Sequence, residues 1–81
     1  MLEDLDRVVN EFRPGFDADG FDVVVESIDP GGLVVVRVRH RPDACEECLM
    51  PDDTIAAIFK TAMRRAVPGV TAVELRHERP A

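Results

Sequence analysis

Aromatic side chains are scarce in this sequence, which has four phenylalanines, no tryptophan and no tyrosine. Single-stranded nucleic acids are commonly bound by stacking their bases on such rings. Basic residues are also outnumbered, ten against sixteen acidic ones, and the formal charge is −6. Because a phosphate backbone is normally bound by a basic surface, we expect no nucleic-acid partner.

Long apolar runs are absent as well. A membrane-spanning helix needs about 18 consecutive apolar residues, and no run in the sequence approaches that length. No apolar block of signal-peptide length occurs among the first thirty residues. The sequence also lacks a nucleotide-binding loop, a nucleophile elbow and a zinc-protease pattern. We therefore expect one domain over residues 1–81, located in the cytoplasm, with no membrane partner and no enzyme activity.

The first apolar pattern predicts an amphipathic helix over residues 2–13. Its apolar side chains recur at steps of three and four, which places them on one face: Leu2, Leu5, Val8, Val9 and Phe12. Pro14 and Gly15 follow, and proline disfavours a helical conformation at the residue before it. The helix is therefore expected to end there, with a loop at 16–20.

Two segments rich in β-branched residues, 21–28 and 33–41, predict an antiparallel hairpin. The residues between them, Asp29-Pro30-Gly31-Gly32, are a strong turn signal. In the second strand, valines alternate with Arg37, Arg39 and Arg41. One face of the sheet is therefore expected to be covered and the other solvated, although a docking site for an acidic partner is an alternative for the arginines.

The rest of the chain predicts a second helix and a third strand. The helix is expected to begin at Pro51, because proline and the acidic Asp52 and Asp53 are favoured in a first turn, and to end before Pro68. Residues 70–76 are then predicted to form a strand. The predicted core is Val8, Phe12, Val34, Val36, Val38, Ile55, Ile58 and Phe59, and the buried stripe of the helix also includes Ala62, Met63 and Ala66. The expected fold class is α+β, a two-layer α-β-β-α-β sandwich with two helices on one face of a three-stranded mixed sheet.

Only two cysteines are present, Cys45 and Cys48. A small secreted disulfide-rich protein usually has four or more, so this Cys-x-x-Cys spacing indicates metal, cluster or thiol chemistry. Zinc would need further ligands, for which His40 and His77 are the nearest candidates. A thioredoxin-type oxidoreductase is disfavoured, because its motif follows an early strand in a βαβ unit.

The order of these landmarks resembles the C-terminal domain of NifU, the Nfu-type iron–sulfur cluster carrier, over nearly the whole chain. The shared landmarks are Arg13-Pro14 after the first helix, Asp19-Gly20 before the first strand, the hairpin, the Cys-x-x-Cys loop, Thr54 in the next helix and Pro68 before the last strand. The sequence departs from the family pattern around the cysteines, where Glu46-Glu47 lies between them and Leu49-Met50 follows.

The resemblance implies a scaffold or carrier that binds an iron–sulfur cluster through Cys45 and Cys48. A [4Fe–4S] cluster takes four thiolates, so two chains would share one cluster in a homodimer. The implied partners are apo iron–sulfur acceptor proteins and cluster assembly proteins, and the alternative is a cluster-free protein-interaction domain of the same fold. Glu46 and Glu47 are expected to oppose thiolate formation, because like charges nearby disfavour the ionised form.

Overall fold

The structure of the protein is a computed structural model that describes residues 2–80. Its elements in chain order are α1 (Leu2–Asn10), α2 (Arg13–Ala18), β1 (Phe21–Ile28), β2 (Leu33–His40), a one-turn 3-10 helix (Glu46–Cys48), α3 (Asp52–Ala66) and β3 (Ala72–Glu78). The predicted α+β class is confirmed. None of the helices within residues 2–80 is long and apolar enough to cross a membrane.

The sheet is mixed, with β2 as its central strand. β1 pairs with β2 in antiparallel fashion, as the hairpin prediction required, and β3 lies parallel to β2 on the other side. The chain passes from β2 to β3 through the cysteine segment and α3. Because β2 and β3 run in the same direction, their C-terminal ends lie at the same edge of the sheet, next to the cysteines.

The core lies between the helices and one face of the sheet. Its buried members come from α1, β1, β2, α3 and the connection after α3, and they are Leu5, Val9, Val23, Val34, Val36, Ile55, Phe59, Met63, Val67 and Val70. Val8 and Phe12 are partly buried against this cluster, and the ring of Phe12 meets that of Phe59 edge-on at 5.3 Å. On the opposite face of the sheet, Arg37 lies between Glu26 and Glu78 in a charged surface.

The prediction of a single N-terminal helix over residues 2–13 is wrong. α1 ends at Asn10, and Pro14 lies in the first turn of a second helix, α2, in the segment predicted to be a loop. Proline is tolerated in a first turn, because the amide hydrogen that it lacks has no partner within the helix there. Arg13 holds the junction between the two helices: its Nη2 lies 2.6 Å from Asp6 Oδ1, and its Nε donates to the Val23 carbonyl at 3.1 Å.

Ile58 is not a core residue, contrary to the prediction, since 37% of its surface is exposed. The buried face of α3 is formed by Ile55, Phe59 and Met63, which recur at four-residue steps. Ile58 precedes Phe59 by one residue and is therefore turned about 100° away from that face. Ala66, also predicted to be buried, is exposed.

Two strand boundaries also differ from the prediction. β3 runs from Ala72 to Glu78 rather than over 70–76, and Val70 is buried in the connection before the strand. β2 ends at His40: the Arg41 amide still donates to the carbonyl of Gly20 in register with the ladder, but the Gly20 amide donates to the Asp17 carbonyl instead of back to Arg41. The shift of β3 places His77 within the strand, as its last but one residue.

Candidate functional site

The cysteine loop, residues 41–51, connects β2 to α3 and rests on the turn before β1. The Arg41 amide donates to the Gly20 carbonyl at 2.9 Å, and the Cys45 amide donates to the Asp19 carbonyl at 2.8 Å. Gly20 has a φ of +94°, and a Cβ atom there would lie 2.6 Å from the Cα of Ala44. Glycine is therefore required both by the backbone conformation and by the close approach of the loop.

Arg41 makes a further connection at the start of this loop. Its Nη1 lies 2.8 Å from Asp17 Oδ1, so the guanidinium joins the end of β2 to α2. The side-chain hydrogen bond to Asp17 is the main cause that raises the pKa of Arg41 above its ordinary value. Arg41 thus helps to anchor the loop and is not part of a strand face with Arg37 and Arg39.

The one-turn 3-10 helix brings Cys45 and Cys48 together. The Cys48 amide donates to the Cys45 carbonyl at 3.0 Å, the two Cα atoms are 5.3 Å apart, and the two sulfur atoms are joined in a disulfide. Both residues are exposed. Because metals and clusters bind thiolate sulfur, the disulfide has to be reduced before this pair can act as ligands. After reduction, the loop presents two adjacent thiols to the solvent.

Two histidines and two acidic residues form a continuous hydrogen-bonded row beside the loop. His40 Nδ1 lies 2.8 Å from Glu46 Oε2, His40 Nε2 lies 2.7 Å from His77 Nδ1, and His77 Nε2 lies 2.7 Å from Asp52 Oδ1. The ring of His40 is buried, with 3% of the residue exposed, and it packs edge-on against Phe21. All four ring nitrogens of the two histidines are therefore engaged with protein groups.

This row was not expected from the sequence, which suggested His40 and His77 only as separate candidates for zinc ligands. Within residues 2–80, no group of three or more His, Cys, Asp or Glu side chains is placed to hold a metal ion. His40 and His77 lie 37 residues apart in the sequence. Their contact could have been predicted only from a parallel pairing of the two strands that contain them. In such a pair, inward-facing residues near the C-terminal ends meet at one edge.

The acidic residues of the loop also have roles that the sequence did not predict. Glu46, expected only to oppose the thiolates, pairs with His40 and lies 3.7 Å from the Nε of Arg79. Asp52 is the first residue of α3, as expected for a helix start, but its carboxylate also reaches His77. Asp53 remains an ordinary first-turn residue, whose side chain accepts a hydrogen bond from the Thr54 amide.

An apolar cleft of about 280 Å³ opens next to Cys48. One wall is formed by Phe12, at the junction of α1 and α2, and by Phe16 of α2. The other wall is formed by Leu49 and Met50 of the cysteine loop. Met50 is one of the few large apolar side chains that the molecule exposes. The candidate ligand pair therefore lies at the edge of an apolar surface.

The sequence from residue 5 to residue 74 matches the model of the NifU-like domain family. The match includes both cysteines, all three α-helices apart from the first residues of α1, and the start of β3. The protein therefore belongs to the NifU-like domain family, whose members act as scaffolds or carriers for iron–sulfur clusters rather than as enzymes. None of the curated proteins compared with it matches the chain.

Proposed function

We propose that this protein binds an iron–sulfur cluster as cargo through Cys45 and Cys48 and delivers it to acceptor proteins. The observation that supports this most directly is the convergence of the two sulfur atoms on an exposed loop, within a chain of the NifU-like family. An exposed site suits cargo that must be transferred to another protein. Binding and release need ligands and a docking surface, so the proposal assigns no catalytic residue.

The number of ligands argues for a homodimer. A [4Fe–4S] cluster takes four thiolates, and this chain contributes two. The described part of the chain places no group of three or more His, Cys, Asp or Glu side chains where it could hold a metal ion, so one chain does not supply a complete ligand set. A second copy related by a twofold axis would add an identical pair and complete the set. We therefore propose that one four-iron cluster is shared between two chains.

The surroundings of the cysteines also support a protein partner. The cleft next to Cys48 offers an apolar surface that either a second copy or an acceptor protein would cover. The segment 43–53 has five acidic residues and no basic one, so a basic surface on the acceptor would complement it. A cytoplasmic location belongs to the same proposal, because thiols are kept reduced in that compartment.

Anaerobic reconstitution tests the proposal. Reduced protein is incubated with iron and sulfide, desalted, and examined by absorption, iron analysis and sedimentation. We expect broad absorbance near ~400 nm, about two iron atoms per chain and a dimer in the loaded state. The double variant Cys45→Ser, Cys48→Ser is the matched control and should remain colourless and monomeric.

The other outcomes have distinct meanings. A colourless wild-type monomer would overturn the proposal. A loaded monomer would overturn the shared four-iron cluster and indicate a smaller cluster completed by ligands from outside the protein. The alternative function, a cluster-free protein-interaction domain, has one observation in its favour: the Cys45–Cys48 disulfide occupies both sulfur atoms while the apolar cleft stays accessible.

A further inference from the structure

The row Glu46–His40–His77–Asp52, which we call the histidine clip, joins the ends of two strands to the segment that contains Cys48. His40 and His77 lie on β2 and β3, near the edge where both strands end. Glu46 is the first residue of the 3-10 helix, and Asp52 is the first residue of α3. The segment between these two carboxylates is therefore held to the sheet at both of its ends by side chains.

The clip is a continuous chain of hydrogen bonds from one carboxylate to the other. An ionised carboxylate only accepts hydrogen bonds, so the geometry assigns His40 Nδ1 as the donor to Glu46 and His77 Nε2 as the donor to Asp52. The two remaining ring nitrogens face each other at 2.7 Å, a hydrogen-bonding distance. Every ring nitrogen of the two histidines is therefore occupied within the clip.

The two halves of the cysteine loop are held to the rest of the molecule by different contacts. At its first cysteine the loop is held through its backbone, by the hydrogen bond from the Cys45 amide to Asp19. The Cys48 amide bonds only within the loop, to the Cys45 carbonyl, and the Leu49 amide to that of Glu46 at 3.4 Å. Besides the packing of Leu49 against the core, the side-chain contacts from Glu46 and Asp52 to the histidines connect this half of the loop to the sheet.

We propose that His40 is a positioning residue for the cysteine pair, acting through Glu46, with His77 and Asp52 as its support. By holding the 3-10 helix in place, the clip keeps Cys45 and Cys48 convergent in the reduced protein, when no disulfide joins them. The benefit to cluster binding rests on the proposed function, whereas the positioning itself is a property of the protein without cargo.

The clip also separates the two glutamates that lie between the cysteines. The Glu46 carboxylate contacts His40 and lies 3.7 Å from the Nε of Arg79, so it has two partners. The Glu47 side chain makes no hydrogen bond or ion pair in the part of the chain that the structure describes. The two residues have the same charge and the same chemistry, so Glu47 is a matched control for Glu46.

The first experiment compares Glu46→Ala with Glu47→Ala in the reduced protein without iron. Amide hydrogen exchange is followed at Cys48 and Leu49. In Glu46→Ala we expect exchange to become faster by about ten-fold or more, the effect of losing one hydrogen bond to a charged group. In Glu47→Ala the change should stay within about two-fold, as for a surface substitution. Equal changes in both variants would overturn the proposal.

The second experiment separates positioning from simple packing of His40. His40→Asn places an amide nitrogen where Nδ1 lies and retains a donor to Glu46, whereas His40→Gln places one where Nε2 lies and loses that donor. Both variants lose the ring that packs on Phe21. We expect exchange at Cys48 close to wild type in His40→Asn and close to Glu46→Ala in His40→Gln. The same exchange rates in both would show that His40 is only a core residue.

Nitrogen-15 NMR of the histidine rings tests the hydrogen bonds of the clip. We expect hydrogen on His40 Nδ1 and on His77 Nε2, and a His40 ring with no hydrogen on Nδ1 would overturn the bond to Glu46. Addition of one equivalent of zinc to the cysteine-to-serine double variant should leave the ring signals unchanged, since a bound metal there would replace the clip. Every measurement uses protein without a cluster, so a failure of cluster loading leaves these results independent.

Discussion

Two connections in this molecule, the hairpin turn between β1 and β2 and the cysteine loop between β2 and α3, differ in the groups that hold them to the fold. In the turn, the Asp29 carboxylate accepts a hydrogen bond from the Leu33 amide at 2.9 Å, and the Thr71 amide donates to the Gly32 carbonyl at 2.9 Å. Among the residues that the structure describes, the second half of the cysteine loop has no such backbone bond to the sheet and is tied to it by side chains, through His40 and His77. The turn is therefore held by its own residues and by backbone contacts, and this half of the loop by side-chain contacts.

This difference bears on how a carrier can work. A turn held by its own residues and by backbone bonds to the segment before β3 is fixed once the sheet has formed. A loop half held by a few side-chain bonds to distant residues can open or shift while the core remains folded, because local stability varies across a structure. The cysteines lie on the connection of the second kind, which under the proposed function lets cargo be gained and lost without unfolding.

The largest expected loss of stability comes from a substitution in the hydrophobic core, on which both connections rest. Phe59→Ala should lower the free energy of unfolding by about 3 to 5 kcal/mol, because it removes a large buried ring that Phe12 and Phe16 contact. Urea denaturation measures this loss. Exchange of amides in the central strand β2 should rise, since they open with global unfolding, whereas amides of the cysteine loop, which exchange through local opening, should change less.

Ile58→Ala is the matched control on the same helix. Ile58 lies outside the buried face of α3 and is 37% exposed, so the loss should stay below about 1 kcal/mol. A loss comparable to that of Phe59→Ala would mean that α3 packs through a different face from the one described.

Glycine substitutions give the next largest effect and separate the two connections. Gly32 in the turn has a φ of +88°, and a Cβ there would lie 2.1 Å from the Gly69 carbonyl oxygen, while Gly20 supports the loop at Ala44. Either change to alanine should lower stability by about 1 to 3 kcal/mol or more, since both the conformation and the space exclude a side chain. Thermal unfolding measures the loss.

Gly20→Ala and Gly32→Ala should differ in which connection is disturbed. Gly20→Ala should also change the reactivity of the reduced cysteines with iodoacetamide, whereas Gly32→Ala should leave it near the wild-type rate. Gly15, inside α2, has open space where a Cβ would lie, with nothing within 4 Å, and Gly15→Ala is the control expected to be neutral or stabilising. Unchanged cysteine reactivity in Gly20→Ala would contradict the anchoring of the loop on Gly20.

The smallest effects come from single carboxylates. Asp29→Ala should cost about 1 kcal/mol through the lost bond to the Leu33 amide, with faster exchange confined to the turn. Asp52→Ala should cost a similar amount, with faster exchange in the cysteine loop, because the histidine clip loses one end. Asp53→Ala removes the same charge from the first turn of α3 and controls for the helix dipole. Equal loop exchange in the Asp52 and Asp53 variants would remove Asp52 from the clip.

The candidate site was only partly predictable. The spacing of Cys45 and Cys48 and the resemblance to the NifU C-terminal domain were enough to select the two cysteines, and the family match is now established. Their use as ligands stays a prediction. The clip was not predicted although a mixed sheet was, because the register that sets His77 opposite Val38, next to His40, and the extension of β3 to Glu78 do not follow from local patterns, and Asp52 is 25 residues from His77.

The sequence by itself determined the features that depend on neighbouring residues. The alternation of Val34, Val36 and Val38 with arginines defined the covered face of β2, and the Asp-Pro-Gly-Gly turn defined the hairpin, because side-chain period and turn chemistry act over a few residues. Tertiary structure decided the features for which the local sequence is compatible with more than one conformation or environment. Pro14 could end one helix or begin the next, and Ile58 could border the core or the solvent. The four side chains of the clip meet only where the packed sheet brings their elements to a common edge.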